Sequence, residues 1–302
     1  MKVGFVSIVG KPNVGKSTLI NQITGTKVSI VSPKPGTTRI RVLGVKNIPD
    51  KAQIIFLDTP GLYKPKDALG EAMVNIAKVT LEDSDLILFM IDAEEGWRKS
   101  DQEVWERHIK PLIDRKPLIL VINKVDKVGD AKNVLPLIER IHKENPEIKE
   151  IVPISALKGS NVDELLKTIV KYLPEGDILF PEDVITDLPL RIMVAEIVRE
   201  KAMLLTREEV PTSIAVVINE IKEGDVDPNM LVIKGEIIVD RENLKPIIIG
   251  KKGQRLKQIG KLAREEIELI TGKKVYLELW VRVKEKWRKR PDLVKSFGYY
   301  IE

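Results

Sequence analysis

Gly10-Lys11-Pro12-Asn13-Val14-Gly15-Lys16-Ser17 follows directly on the apolar run Val3 to Val9, and Ser17-Thr18-Leu19-Ile20-Asn21-Gln22-Ile23 has the spacing of a helix. A buried strand, a glycine-bearing loop and a helix N-terminus in that order aim backbone N–H groups and the helix dipole at one point, where an anion binds. Residues from Gly10 to Thr18 are therefore expected to cradle nucleotide phosphates. In this pattern Lys16 reaches the β- and γ-phosphates and the Ser17 hydroxyl goes to Mg²⁺.

Further along, Asn123-Lys124-Val125-Asp126 closes a second apolar run, Leu118 to Ile122. Guanine presents two donors side by side, N1–H and the exocyclic amine, and the one carboxylate of Asp126 accepts both. Adenine would leave those oxygens unpaired, at a cost of about 1–3 kcal/mol or more for a charged group. The expected nucleotide is GTP. Asn123 supports the loop and the acceptor edge of the base, and the Lys124 stem covers the base face.

Three shorter motifs fall in order around these two. Asp58-Thr59-Pro60-Gly61 follows the strand Ile54 to Leu57, so that Asp58 reaches Mg²⁺ through water and the Gly61 N–H senses the γ-phosphate. Gly36-Thr37-Thr38-Arg39 lies in a loop after the first helix and supplies a second Mg²⁺ hydroxyl. Ser155-Ala156-Leu157 follows Ile151 to Ile154 and offers backbone N–H groups to guanine O6.

Apolar strand cores at 3–9, 54–57, 86–91, 118–122 and 151–154 alternate with helical stretches near 16–24, 67–82, 100–113, 131–144 and 161–172. Residues 39–47 add an edge strand, expected antiparallel. This predicts an α/β fold with a mostly parallel, doubly wound sheet, and the motifs fall at the strand C-terminal ends where such sheets bind ligands. The domain is read as 1–173. Pro174, Pro181 and Asp183 punctuate a stretch without periodicity, so 174–187 reads as a linker.

The Gly10–Ser17 loop together with Pro35-Gly36-Thr37-Thr38-Arg39 resembles the Era/TrmE branch of the translation-factor-class GTPases. The resemblance implies a P-loop GTPase that hydrolyses GTP slowly alone, with Lys16, Thr38, Gly61 and Asn13 serving hydrolysis. It implies Thr38 as the Mg²⁺-binding threonine, with Thr37 a close rival, and Asn13 holding a potassium ion against the phosphates. Leu62 stands where Ras-like enzymes place a water-orienting glutamine. Leucine makes no hydrogen bond, so positioning is expected from backbone, cation and partner, with no side-chain general base.

Residues 188–302 are read as a second, α+β domain. A helix near 188–205 precedes alternating runs at 212–221 and 230–239, joined by a hairpin connection. The loop Gly250-Lys251-Lys252-Gly253 lies between two helices, the second running to about 271, and a strand at 274–283 follows. The order resembles a type II KH domain, whose two glycines bring bare backbone against about four nucleotides of single strand. Residues 181–244 hold 7 Lys or Arg against 14 acids, whereas 245–290 hold 15 against 5. RNA contacts are expected from Ile249, Gly250, Lys251, Lys252, Gly253, Arg255, Lys257 and Arg288, on the loop, its helix and the basic tail. Trp287 either stacks on a base or anchors the tail.

A GTPase domain followed by a type II KH domain resembles the Era family over essentially the whole chain. That resemblance implies binding to the 3′ end of small-subunit ribosomal RNA, a part in assembly of the small ribosomal subunit, and peripheral association with the inner membrane. A monomer in the cytoplasm is expected. Two rival classes stand beside this: a stand-alone GTPase with a dimerising second domain, and a membrane-acting GTPase whose basic half meets anionic lipid. The 302 residues suit two domains, and 43% hydrophobic content suffices for packed cores. Without cysteine the chain forms no disulfide or thiolate metal site, and His108 and His142 are its only imidazoles.

Overall fold

The computed structural model describes residues 1–129, 131–207 and 210–301, without the side chain of Ala131. Continuous apolar runs mark strands covered on both faces, and this is how the first part of the chain folds. The elements run β1 (Lys2–Gly10), α1 (Lys16–Thr24), β2 (Val42–Ile48), β3 (Ala52–Asp58), α2 (Ala68–Asp83), β4 (Leu86–Asp92), α3 (Lys99–Val104), β5 (Leu118–Asn123), α4 (Leu135–Glu144), β6 (Glu150–Pro153) and α5 (Val162–Tyr172). The sheet order is β2-β3-β1-β4-β5-β6. Only β2 pairs antiparallel, against β3; the other pairings are parallel. One core layer gathers Ile8, Leu19, Phe56 and Leu165; the other gathers Leu62, Phe89, Trp105 and Ile122.

The stretch expected as one helix over 100–113 is broken. After α3 the chain widens into a π-helical turn, Trp105–Ile109, and then tightens at Lys110–Leu112. Pro111 has no N–H to give the preceding turn and its ring crowds the carbonyl four residues back, so a regular helix does not continue. Likewise Ala131–Val134 is a tight 3₁₀ turn, and the α-helix begins only where Pro136 occupies its first turn.

Residues 174–187 run along the outside of this sheet. The Gly176 N–H meets the Met1 carbonyl at 3.0 Å, and the Val45 N–H meets that of Ile185 at 2.8 Å. Between them the fully buried Gln53 amide bonds the backbone of Leu179 and Phe180, and the Phe180 ring packs on Leu43, Val45 and Ile55.

The chain continues through α6 (Leu190–Leu204), α7 (Val210–Ser213), β7 (Ala215–Glu223), β8 (Met230–Val239), α8 (Lys245–Ile249), α9 (Gln254–Thr271), β9 (Lys274–Val283) and α10 (Pro291–Ser296). Strand β8 is central, antiparallel to β7 and parallel to β9. Helices α6 and α9 close one face over Val198, Ile233, Ile237, Ile259 and Ile267. The strand expected from residue 212 starts at Ala215. Pro211 presets a helical turn, and the Ser213 hydroxyl closes it by donating to the Val210 carbonyl at 2.8 Å. A small apolar seam joins the two halves: Leu69 and Met73 of α2 pack with Ala215, Trp287, Val294 and Tyr299.

Candidate nucleotide site and nucleic-acid interface

The phosphate loop is held open by a neighbour distant in sequence. Gly15 sits at φ +104°, and a Cβ there would lie 2.2 Å from the Asn123 amide nitrogen, so only glycine fits. That nitrogen donates to the Val14 carbonyl at 2.8 Å, while the Asn123 oxygen accepts the Ala156 N–H at 2.8 Å. One buried amide therefore ties together three of the motifs. The Lys16 amine donates to the carbonyls of Lys11 at 2.9 Å and Gly10 at 3.3 Å. Burial pulls its pKa down to about 8, partly offset by the Asp58 carboxylate.

A phosphate anion placed here would recharge that amine. GTP binding should thus take up a proton above pH 8, and affinity should fall by about fivefold between pH 8 and pH 9 as the free site loses its charge. Titrating a fluorescent GTP analogue from pH 7 to 9.5 checks this; a flat profile contradicts it. The lowered pKa also means that the unfolded chain binds more protons between about 8 and 10.5. Over that window this group makes the nucleotide-free protein more stable as pH rises.

Three oxygens converge beside Lys16. The Ser17 hydroxyl donates to Asp58 Oδ2 at 2.7 Å and lies 2.9 Å from the Thr38 hydroxyl. Ser29 donates to the same Oδ2 at 2.8 Å, but Asp58 Oδ1 is buried with no partner among the described residues. Burial pushes the Asp58 carboxyl up, against the opposing pull of the Ser17 bond and the Lys16 charge. A hydroxyl, a second hydroxyl and an under-satisfied carboxylate form the hard oxygen set that Mg²⁺ takes, with phosphates and waters completing it. The residues fit that ion. Thr37 points elsewhere, donating to the Lys34 carbonyl at 2.6 Å, so the geometry favours Thr38 over its neighbour. Among the described residues no cluster of three His, Cys, Asp or Glu offers another metal site.

Gly61 abuts the phosphate loop: a Cβ would meet the Pro12 nitrogen at 2.7 Å. Leu62 is buried in the core with Val9 and Phe89. The Asn13 amide donates to the Pro33 carbonyl at 3.1 Å, bridging the phosphate loop to the loop that carries Thr38. Residues from both loops, with Lys124, line a cleft of about 480 Å³.

At the base end, Lys124 takes a left-handed conformation and its amine donates to the Asn13 carbonyl at 2.7 Å, paired with Asp92 at 2.5 Å. Its stem is thereby laid beside the phosphate loop. The exposed Asp126 is oriented by the Ser155 hydroxyl at 2.5 Å. At Ser155-Ala156-Leu157, expected to face guanine O6, the Ser155 N–H serves the Ser160 carbonyl, that of Ala156 serves the Asn123 oxygen, and Leu157 is exposed.

In the second domain Gly250 and Gly253 take φ +74° and +75°, with Lys252 at +51° between them. A Cβ at Gly250 would strike Arg255 at 2.7 Å, so the tight turn requires glycine there. Lys251 and Lys252 project into solvent. Behind them α9 and β9 bound a groove of about 740 Å³, with Leu256, Leu277 and Leu279 along it and Lys257, Lys261 and Arg264 at its edge. Ile249 is half-buried against the core, and Arg255 turns back to donate to the Ile247 carbonyl, capping α8.

Two tail expectations are decided by packing. Trp287 is fully buried, its ring N–H donating to the Ser213 carbonyl at 2.9 Å, so it anchors the tail. Arg288, expected on RNA, is paired with Asp67 at 2.5 Å, the residue that caps α2. It belongs to the seam between the halves.

Residues 5–124 match the family described as 50S ribosome-binding GTPase, and residues 209–288 match the KH domain family. Over 303 aligned residues, covering all of both chains, the protein is 74% identical to GTPase Era of Aquifex aeolicus strain VF5. This chain belongs to the Era family of GTPases. The crystal structure of the Y63A variant of Aquifex aeolicus Era bound to GDP·AlF₄⁻ superposes with a TM-score of 0.98, at 73% identity and full coverage of both chains. Era in complex with MgGDPNP and nucleotides 1506–1542 of 16S ribosomal RNA gives the same TM-score at 74% identity, again over both full chains.

Within this Era-family site, sequence reasoning missed several supports. Lys11 reaches across to the buried Asp101 at 3.0 Å, and its own carbonyl receives the Lys16 amine. Ser29 holds Asp58, Asp92 holds Lys124, and Leu277 with Leu279 line the groove. Apart from Lys11, which lies in the phosphate loop itself, none of these supports carries a motif. The one signal was the alternation along 274–283, which puts Leu277 and Leu279 on the same face of β9.

Proposed function

We propose that this Era-family GTPase is a GTP-gated single-stranded RNA binder that acts on the 3′ end of small-subunit ribosomal RNA during assembly of that subunit. The observation that carries the reading is the groove between α9 and β9. It has a glycine-lysine loop at its mouth, apolar side chains along it and cations at its edge, the combination that clamps bases and phosphates of a single strand. The full-length likeness to an Era structure holding a 16S ribosomal RNA segment supports the choice of RNA.

In hydrolysis, Lys16 neutralises the terminal phosphates and the Gly61 N–H faces the γ-phosphate. Mg²⁺, held by Ser17, Thr38 and Asp58, would neutralise charge on the transferring phosphoryl group. Asn13, whose amide nitrogen donates to the Pro33 carbonyl, would help to hold a potassium ion against the phosphates. With Leu62 buried, no side chain among the described residues takes the place of a water-orienting glutamine, and turnover alone is slow. The γ-phosphate orders segments 25–38 and 59–75, and these set the KH domain for RNA.

Fluorescence anisotropy of a labelled RNA matching the small-subunit 3′ tail tests this, at fixed near-physiological salt. Tighter binding with a non-hydrolysable GTP analogue than with GDP is expected. Equal binding would remove the gating, and no binding in either state would overturn the RNA reading.

A further inference from the structure

Helix α6 belongs to the second domain, yet two of its consecutive residues hold the loop that carries Thr38. Glu200, buried, accepts the Val31 N–H at 2.9 Å and pairs with Lys27 at 2.6 Å. Arg199, fully buried, is oriented by Glu196, whose Oε1 accepts its Nε–H at 2.8 Å, and donates to the Thr37 carbonyl. Between these two main-chain anchors run residues 32–36, of which Ser32, Pro33 and Gly36 line the phosphate cleft. With the Thr37 peptide held, the next hydroxyl lies 2.9 Å from that of Ser17. Beyond it, Arg39 donates to the Thr212 carbonyl at 2.9 Å and to that of Ile214, with its guanidinium over the rings of Trp287 and Tyr299.

The same cluster reaches the RNA side. Lys27 also pairs with Glu266 of α9 at 2.7 Å, and Lys201 pairs with Glu200 at 2.7 Å and with Glu266. Helix α9 starts at Gln254, immediately after the Gly-Lys-Lys-Gly loop, and carries Lys257, Lys261 and Arg264 along the groove. From Gln254 to Glu266 is about 18 Å of rigid helix at 1.5 Å per residue.

We infer that Arg199 and Glu200 are positioning residues for GTP hydrolysis: the RNA-binding domain itself holds the Thr38 loop over the nucleotide, and the Lys27–Glu266 pair links that loop to the RNA groove. The first half rests on the GTP chemistry alone; the second rests on the RNA-gating reading above. A donor fixed on the Thr37 carbonyl and an acceptor fixed on the Val31 N–H restrict the loop between them without touching nucleotide. Their effect should therefore fall on what the loop contributes, the Thr38 hydroxyl, and spare what the phosphate loop contributes.

The test uses the full chain with Arg199→Lys, Glu200→Gln and Lys27→Met. The readouts are the Mg²⁺ concentration at half-maximal hydrolysis, the affinities for GDP and for a non-hydrolysable GTP analogue, and the melting temperature. Arg199→Lys and Glu200→Gln should each raise the Mg²⁺ half-point and weaken the GTP analogue by about fivefold or more, with GDP affinity changed less than about twofold, the size of an ordinary coupling between sites. Lys27→Met should shrink the ratio of RNA affinities between the two nucleotide states.

Equal losses for GDP and the GTP analogue would reduce α6 to domain glue and overturn the inference. So would an unchanged Mg²⁺ half-point in a variant that melts like the parent. Glu200→Gln decides the matter if Arg199→Lys fails to fold, because it keeps the shape of the acceptor. If the parent chain binds RNA equally in both states, the gating reading and the Lys27 link fail together, while the Mg²⁺ readout still decides Arg199 and Glu200.

Discussion

Replacing Asp126 with asparagine should lower GTP affinity by roughly two to three orders of magnitude. The carboxylate offers two acceptors to two guanine donors, and hydrogen bonds to a charged group are worth about 1.5–3 kcal/mol each. Asparagine keeps one acceptor and turns an amide donor toward a donor of the base. The loss of one charged bond and the added repulsion come to about 3–4 kcal/mol, at 1.4 kcal/mol per tenfold. The Ser155 hydroxyl, now 2.5 Å from Oδ1, should hold the amide oxygen in the same place, which fixes the direction of the new donor. Xanthine carries an oxygen where guanine has its amine, so the same variant should bind xanthosine triphosphate more tightly than GTP. Competition titrations with the two nucleotides measure the exchange. An Asp126→Asn variant that still prefers GTP would remove Asp126 from base recognition. The residue is exposed and serves no core packing, so stability should move within about 0.5 kcal/mol.

The second large effect belongs to the loop at the mouth of the groove. Reversing both charges, Lys251→Asp with Lys252→Asp, should weaken single-stranded RNA by about a hundredfold or more. Two phosphate contacts disappear and two negative charges face the strand in their place. For single strands the logarithm of affinity falls with the logarithm of salt at about 0.7 per neutralised phosphate, so the slope should shrink by about 1.4. Both lysines are solvent-exposed and neither joins an ion pair among the described residues, so the fold should survive. A titration at several salt concentrations separates the two readings of this domain. An affinity loss with an unchanged slope would mean that the loop acts by shape alone, and no loss at all would move the RNA to another face.

The contrast between Lys251 and Arg288 shows what a sequence can say about charge. Both lie in the basic half of the second domain, and both were expected on RNA. The loop between two glycines must project, because the turn leaves its side chains nothing to pack on. Arg288 follows a tryptophan whose burial draws that segment down onto the other domain, where Asp67 waits. A charge count sees fifteen cations in that half; only packing tells which of them water still reaches.

The order of motifs, the nucleotide and the two domain types were determined by the sequence alone, because each depends on local chemistry. A phosphate loop needs its glycines, lysine and serine within one turn, and a guanine site needs one carboxylate at a strand end. Long apolar runs are buried on both faces wherever they lie, so the parallel sheet was legible as well. Tertiary structure decided everything that depends on residues distant in the chain. It put the Thr38 hydroxyl rather than that of Thr37 beside Ser17, used the Ala156 N–H to hold Asn123, and placed Arg199 and Glu200 of α6 on the loop around Thr38. These contacts span from 21 to 169 residues of chain. Hydrophobic periodicity and turn chemistry fix each element by its immediate neighbours, whereas such contacts exist only once the elements have packed.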